Sequence, residues 1–283
     1  MIGYYILAVA IVAVLLFLYF RFFTPPKFGN TLVVSGAVKT GKTMFSLRCA
    51  RIQYYKQLIK YYIARFLRPF FALIFPTWRK RTFEKPLFYS NIPVVIRNYS
   101  PLTEALILRK ERFRYGSVIF VDEASLVADS RLIKQEEVNE ALLLFNKLIA
   151  HETRGGYLFW NTQAVNDLHY AIKRCTGSYF YIHHNIKIPF FVIMFYREMF
   201  FSDDGGGSTA SVTVTGADEE LKIMLVPKSI WKKYDRYAFS ILTDHLPVAD
   251  RIETYKRYGK KKIKRLVTFR DFKTIDKEWE KNI

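Results

Sequence analysis

The residues with the clearest chemistry lie close together: Gly36-Ala37-Val38-Lys39-Thr40-Gly41-Lys42-Thr43. Two glycines five positions apart, followed by lysine and threonine, form the pattern G-x-x-x-x-G-K-[ST], which cradles phosphates when a strand leads in and a helix leads out. Both flanks fit. Thr31-Leu32-Val33-Val34-Ser35 is a β-branched run, and Met44-Phe45-Ser46-Leu47 is helix-like. In such a loop Gly36 and Gly41 let backbone N–H groups turn inward, while Ala37, Val38, Lys39 and Thr40 complete the cradle. Lys42 reaches the β- and γ-phosphates and Thr43 offers a hydroxyl to Mg²⁺. ATP and Mg²⁺ are the expected cofactors.

A phosphate loop of this kind needs a carboxylate on a neighbouring strand. Ser117-Val118-Ile119-Phe120-Val121 is such a strand and ends in Asp122-Glu123. Asp122 can hold the metal through water, and Glu123 can polarise the attacking water; the alternative is that Glu123 caps a following helix. A third apolar strand, Tyr157–Trp160, ends in Asn161-Thr162-Gln163, whose amides can sense the γ-phosphate if the strands are parallel. Before it, His151-Glu152-Thr153-Arg154-Gly155-Gly156 puts an arginine in a turn. Arg154 is read either as a finger reaching a neighbouring subunit's nucleotide or as a plain surface arginine near a helix end.

Together with Tyr89-Ser90-Asn91-Ile92-Pro93 and Tyr234-Asp235-Arg236-Tyr237, these segments occur in an order that resembles the Zot-like (zonula occludens toxin) assembly ATPases of filamentous phages, within the FtsK–HerA branch of P-loop ATPases. The resemblance spans approximately residues 30–240. It implies a membrane-associated oligomeric ATPase that drives phage DNA and coat assembly, with Gln163 as the sensor glutamine and Arg154 as the finger. Those phage proteins usually carry a membrane span after the ATPase domain, whereas the longest apolar run here is at the start.

The elements that must position these residues follow from composition and patterning. Among 283 residues, 51% are hydrophobic and 17% aromatic, which excludes a disordered polycation despite a net charge of +19. The surplus is concentrated: residues 51–85 and residues 251–270 each hold nine Lys/Arg and one Glu. Surpluses of this size point to phosphate, in nucleic acid or in lipid headgroups. Cys49 and Cys175 lack metal or disulfide spacing. Met1–Phe20 carries no charge and is long enough to span a bilayer. Arg21 and Lys27 follow it, which directs the rest of the chain to the cytoplasm, and Thr24-Pro25-Pro26 forms a linker.

The expected fold is an α/β P-loop NTPase with a parallel-sheet core, a transmembrane anchor at 1–23, an ATPase core at 24–202, and a C-terminal part at 203–283 that ends in a basic tail. Within the core, residues 51–71 read as a helix with Lys56, Lys60, Arg65 and Arg68 on one half and Leu58, Ile59, Tyr62, Phe66 and Phe70 on the other. The apolar half either packs on the core or lies on an anionic bilayer. Residues 136–149 read as a core-facing helix, 190–201 as a buried strand, and 203–208 as a loop. The expected activity is ATP hydrolysis powering virion morphogenesis, with DNA, viral coat or assembly proteins, and further copies of the chain in a ring as partners. The alternative is a nucleotide-binding membrane scaffold of a virion. A GTPase is disfavoured because Asn146-Lys147 is followed by Leu148-Ile149 and not by the base-reading N-K-x-D.

Overall fold

The computed structural model describes residue 4 and residues 22–74, 84–107, 111–124, 144–149, 151–166, 168, 170–203, 212–216 and 220–234. Apart from Tyr4 and residues 22–23, the proposed anchor at 1–23 lies outside them, as does the basic tail. Among the described residues no helix is long and apolar enough to cross a membrane.

The phosphate loop joins β1 (Thr31–Gly36) to α1 (Lys42–Ile74). The chain then forms β2 (Phe88–Ser90), β3 (Tyr99–Pro101), a short α2 (Glu104–Ile107), β4 (Val118–Val121) and β5 (Tyr157–Thr162). A short α3 (Tyr170–Arg174) precedes β6 (Ser178–Lys187), β7 (Phe191–Asp203), β8 (Val212–Gly216), β9 (Lys222–Pro227) and a 3₁₀ turn at Lys228–Lys233. One sheet holds all nine strands in the order β3-β2-β4-β5-β1-β6-β7-β8, with β9 pairing the other half of β7's free edge.

The expected parallel-sheet core is present, and this topology adds an antiparallel edge to it. Strands β1 to β6 are parallel to their neighbours, but β7 is antiparallel to β6 and to β8 and β9. The reason is local: only Ile188-Pro189-Phe190 separates β6 from β7, too short for a parallel crossover. The run 190–201 is therefore a strand, as expected. Its buried residues alternate, Val192, Met194 and Tyr196 facing the core, because only one face of this extension is covered.

Period-two alternation divides the core between the two faces of the sheet. Leu32 and Val34 of β1, Val118 and Phe120 of β4, Phe159 of β5, and Phe180 and Ile182 of β6 face α1. Val33, Ile119, Val121, Leu158, Trp160 and Tyr179 face the opposite way, against Phe145, Ile149, Leu168 and Ile172. The helical residues 144–149 include Phe145 and Ile149 of the expected core-facing helix, and Trp160 Nε1 donates to Asn146 Oδ1 at 2.8 Å to fix them to β5. Residues 136–143 and 204–211 lie outside the described residues.

Helix α1 departs from expectation in one respect. Leu58 is buried, but among the described side chains of the helix none from Ile59 onward is buried. The alternative in which the apolar half of 51–71 packs on the core holds only as far as Leu58.

Candidate nucleotide site

The parallel strands β1, β4 and β5 deliver their C-terminal ends to one rim. Ser35 of β1 is level with Thr162 of β5, and Val121 of β4 is level with Trp160. Strand β5 lies between β1 and β4, so its terminal amides fall between the phosphate loop and the carboxylate pair.

The loop has the backbone shape that its glycines allow. Gly41 has φ of +91°, and a Cβ there would lie 2.6 Å from Met194 Cε. At Gly36 a Cβ would meet the Ile182 carbonyl oxygen at 2.7 Å. Lys39, at φ +69°, is also left-handed, and the Thr40 hydroxyl donates to the Ala37 carbonyl at 2.8 Å to close the turn. The first intrahelical bond, Phe45 N to Gly41 O at 3.0 Å, starts α1 immediately after the loop, so the positive end of the helix dipole faces the cradle. Val38 is exposed at the tip of the loop.

Below the loop the expected residues converge. Lys42 Nζ lies 3.3 Å from Glu123 Oε1. Thr43 Oγ1 donates to Asp122 Oδ1 at 3.2 Å, and Asn161 Nδ2 donates to Thr43 Oγ1 at 3.0 Å and to the Asp122 carboxylate. Gln163 Nε2 donates to Glu123 Oε2 at 3.1 Å. Glu123 is thus held between a cation and an amide, and its φ of +48° places it in a region where non-glycine residues are uncommon.

Burial pushes the Asp122 carboxyl up from an ordinary 3.8 to about 6. The Asn161 hydrogen bond opposes this, the Glu123 charge adds to it, and Lys42 and Thr43 oppose it more weakly. A buried carboxylate beside a threonine hydroxyl suits a hard divalent cation, which prefers oxygen ligands. Asn161 Oδ1, buried with no hydrogen-bond partner, is a further oxygen at the same spot. Among the described residues no group of three or more His, Cys, Asp or Glu could hold a metal, so a cation here would draw most of its ligands from phosphate oxygens and water. That is how Mg²⁺ is usually bound beside a nucleotide, and the residues present fit it.

Two contributions escape sequence reasoning. Asn91, fully buried at the end of β2, donates its Nδ2 to the Asp122 carbonyl at 2.8 Å and accepts from the Asp122 N–H at 2.8 Å. This two-point clamp fixes the end of β4. Asn91 stands in the segment that carried the family resemblance, but nothing in its spacing foretells a partner 31 residues away. The second is Asn185, whose Nδ2 donates to the Lys39 carbonyl at 3.0 Å. It lies in the part of β6 that overhangs the loop, where His184 to Lys187 and Val38 to Thr40 line an open cavity of about 560 Å³.

Arg154 is not brought to this rim. It precedes β5, at the other end of the sheet, where its guanidinium sits 3.9 Å above the Tyr115 ring in a turn with φ of +49°. At about 3.3 Å per residue, the six residues of β5 hold it ~20 Å from its own chain's phosphate loop.

No protein-family profile matches the chain, and no curated protein does. Among solved structures, the N-terminal domain of zonular occludens toxin from Neisseria meningitidis is similar at 16% identity and TM-score 0.37, covering 74% of this chain and 100% of that one. The KaiC-like protein PH0186 from Pyrococcus horikoshii OT3 is similar at 13% identity and TM-score 0.33, over 71% of this chain and 90% of its own. The genome packaging NTPase B204 from Sulfolobus turreted icosahedral virus 2, solved with ATP-gammaS, is similar at 13% identity and TM-score 0.30, over 66% and 96%.

Proposed function

We propose that the chain binds ATP with Mg²⁺ and hydrolyses it. The observation that carries this reading is the convergence of Lys42, Thr43, Asp122, Glu123, Asn161 and Gln163 on one rim beneath a loop of phosphate-cradling shape. Thr43 and Asp122 would hold the cation, which when bound neutralises charge on the β- and γ-phosphates. Lys42 would exchange its contact with Glu123 for the phosphates. Glu123, released from that cation but still held by Gln163, would accept a proton at a carboxylate oxygen from the attacking water. Arg154 would act on the nucleotide of a neighbouring copy.

The wider role we propose is a membrane-anchored motor of virion morphogenesis that moves viral DNA, works as a homo-oligomeric ring and meets viral coat or assembly proteins. It is held by residues 1–23 with its C-terminal part in the cytoplasm. Support comes from the motif order, the uncharged run Met1–Phe20 and the concentrated basic charge.

Hydrolysis by Glu123→Gln tests the central claim. The loss expected for removing a general base is about 10²- to 10⁴-fold, with binding of a fluorescent ATP analogue retained. Lys42→Ala is expected to lose both. Wild-type turnover in Glu123→Gln would remove the role given to Glu123, and nucleotide binding without turnover in the unmodified chain would favour the virion scaffold.

A further inference from the structure

Half of helix α1 has no work to do for the nucleotide site. Gln57 Nε2 donates to the Gly155 carbonyl at 2.8 Å, beside the start of β5, and Leu58 is the last buried side chain among those described in the helix. The 16 residues that follow, 59–74, extend the helix about 24 Å further at 1.5 Å per residue.

This segment has two chemically distinct sides. At 100° per residue, Ile59, Tyr62, Ile63, Phe66, Phe70 and Ile74 fall within a sector of roughly 120°. They are exposed, Ile59 at 58%, Ile63 at 54%, Phe66 at 80% and Phe70 at 60%. An apolar stripe this continuous is rare on a soluble surface without a partner. On its flanks stand Lys56 and Lys60 on one side and Arg65 on the other, all exposed. Between Lys42 and Ile74 there are seven Lys/Arg and no Asp or Glu.

The charge decides between occupants. A second copy of the same helix, in either direction, would bring two cationic flanks together with no carboxylate to answer them, and like charges at such spacing repel. DNA would answer the charge but leave the aromatic and aliphatic sector in water. A bilayer rich in anionic lipid answers both: acyl chains take the apolar sector and phosphate headgroups take the lysine and arginine tips, which reach outward past their own methylene stems. Each basic group near such a surface adds to the attraction.

We infer that residues 59–74 of α1 form an in-plane docking surface for an anionic membrane. The helix would lie with Phe66 and Phe70 below the headgroups and Lys56, Lys60 and Arg65 among them. This surface is separate from the nucleotide site and does not depend on the reading given to it.

The test must distinguish this helix from any anchor elsewhere in the chain, so it reads depth at single positions in the full-length protein. Phe66→Cys and Tyr61→Cys, each in a Cys175→Ser background, would be labelled with bimane. Cys49 is buried and its thiol is pushed up to about 12 by that burial, which keeps it out of the labelling. Each protein is placed in nanodiscs of phosphatidylcholine carrying a nitroxide on the acyl chain, with or without phosphatidylglycerol. The expected result is quenching at position 66 that rises several-fold with phosphatidylglycerol, little quenching at position 61, and loss of the rise in Lys56→Glu/Lys60→Glu/Arg65→Glu. Binding of a fluorescent ATP analogue checks that the charge-reversed protein is folded. If it is not, the comparison between lipids with unaltered charges still decides. Absence of quenching at position 66, or quenching indifferent to headgroup charge, overturns the inference. So does protection of the label that vanishes on dilution, which would mean a second copy, or protection that requires added DNA.

Discussion

Asp122 is the residue at which stability and activity oppose each other. Its burial raises the carboxyl to about 6, above the value it has in an unfolded chain, so the folded protein holds that proton more tightly. In the nucleotide-free protein this contribution to stability is fully present below the unfolded value of about 3.9 and is lost as pH rises through about 6. Binding of a cation there would have the opposite dependence, because it would need the carboxylate. Thermal melts from about pH 4 to about pH 7 are expected to show Asp122→Asn flattening this dependence and melting higher than wild type at the upper end. Mg²⁺-dependent nucleotide binding, weakening in wild type as pH falls through about 6, is expected to be absent in the variant. A lower melting temperature for Asp122→Asn at neutral pH would contradict the direction of the shift. The meeting of Lys42, Thr43 and Asp122 at one place was readable in the sequence because the phosphate-loop pattern ties them to a local spacing and calls for a carboxylate at the end of a neighbouring strand. The pairing of Gln163 with Glu123 was not, since it depends on β5 lying between β1 and β4.

At the scale of elements, the end of β4 depends on β2. Asn91 satisfies both backbone groups of Asp122 inside the core, so Asn91→Ala leaves a buried N–H and a buried C=O without partners. The expected cost is about 2–4 kcal/mol in urea unfolding, with turnover falling more than nucleotide binding, since Glu123 is the next residue along. An unchanged urea midpoint would show that water replaces the amide. Unbroken apolar and β-branched runs made β1, β4 and β5 legible, and the short Ile188-Pro189-Phe190 link is what turned β7 antiparallel. The sharing of β7 by β8 and β9 was not legible, because β9 begins 19 positions after β7 ends and joins it on an edge that periodicity does not identify. Likewise, helical periodicity drew the two faces of α1 but carried no information on where burial along it stops.

For the whole molecule, the position of Arg154 is the most informative. Lying at the far end of β5 from its own phosphate loop, it can complete a site only between copies. Mixing Arg154→Ala with Lys42→Ala, each expected to be inactive alone, should then restore part of the ATPase activity, because some interfaces will pair an intact loop with an intact arginine. Full activity of Arg154→Ala alone would leave the arginine as a surface partner of Tyr115. The sequence placed Arg154 in a turn, but the distance that makes a neighbour necessary comes from the sheet. The same distance has a mechanical counterpart in α1, whose first turn borders the phosphate loop and whose described side chains beyond Leu58 are mostly exposed. Its 33 residues, Pro69 among them, measure about 50 Å, so a tilt of ~5° at the loop would sweep the far tip by about 4 Å. The helix would then serve as a lever arm, with its short end at the phosphate loop and its long end 16 residues beyond Leu58.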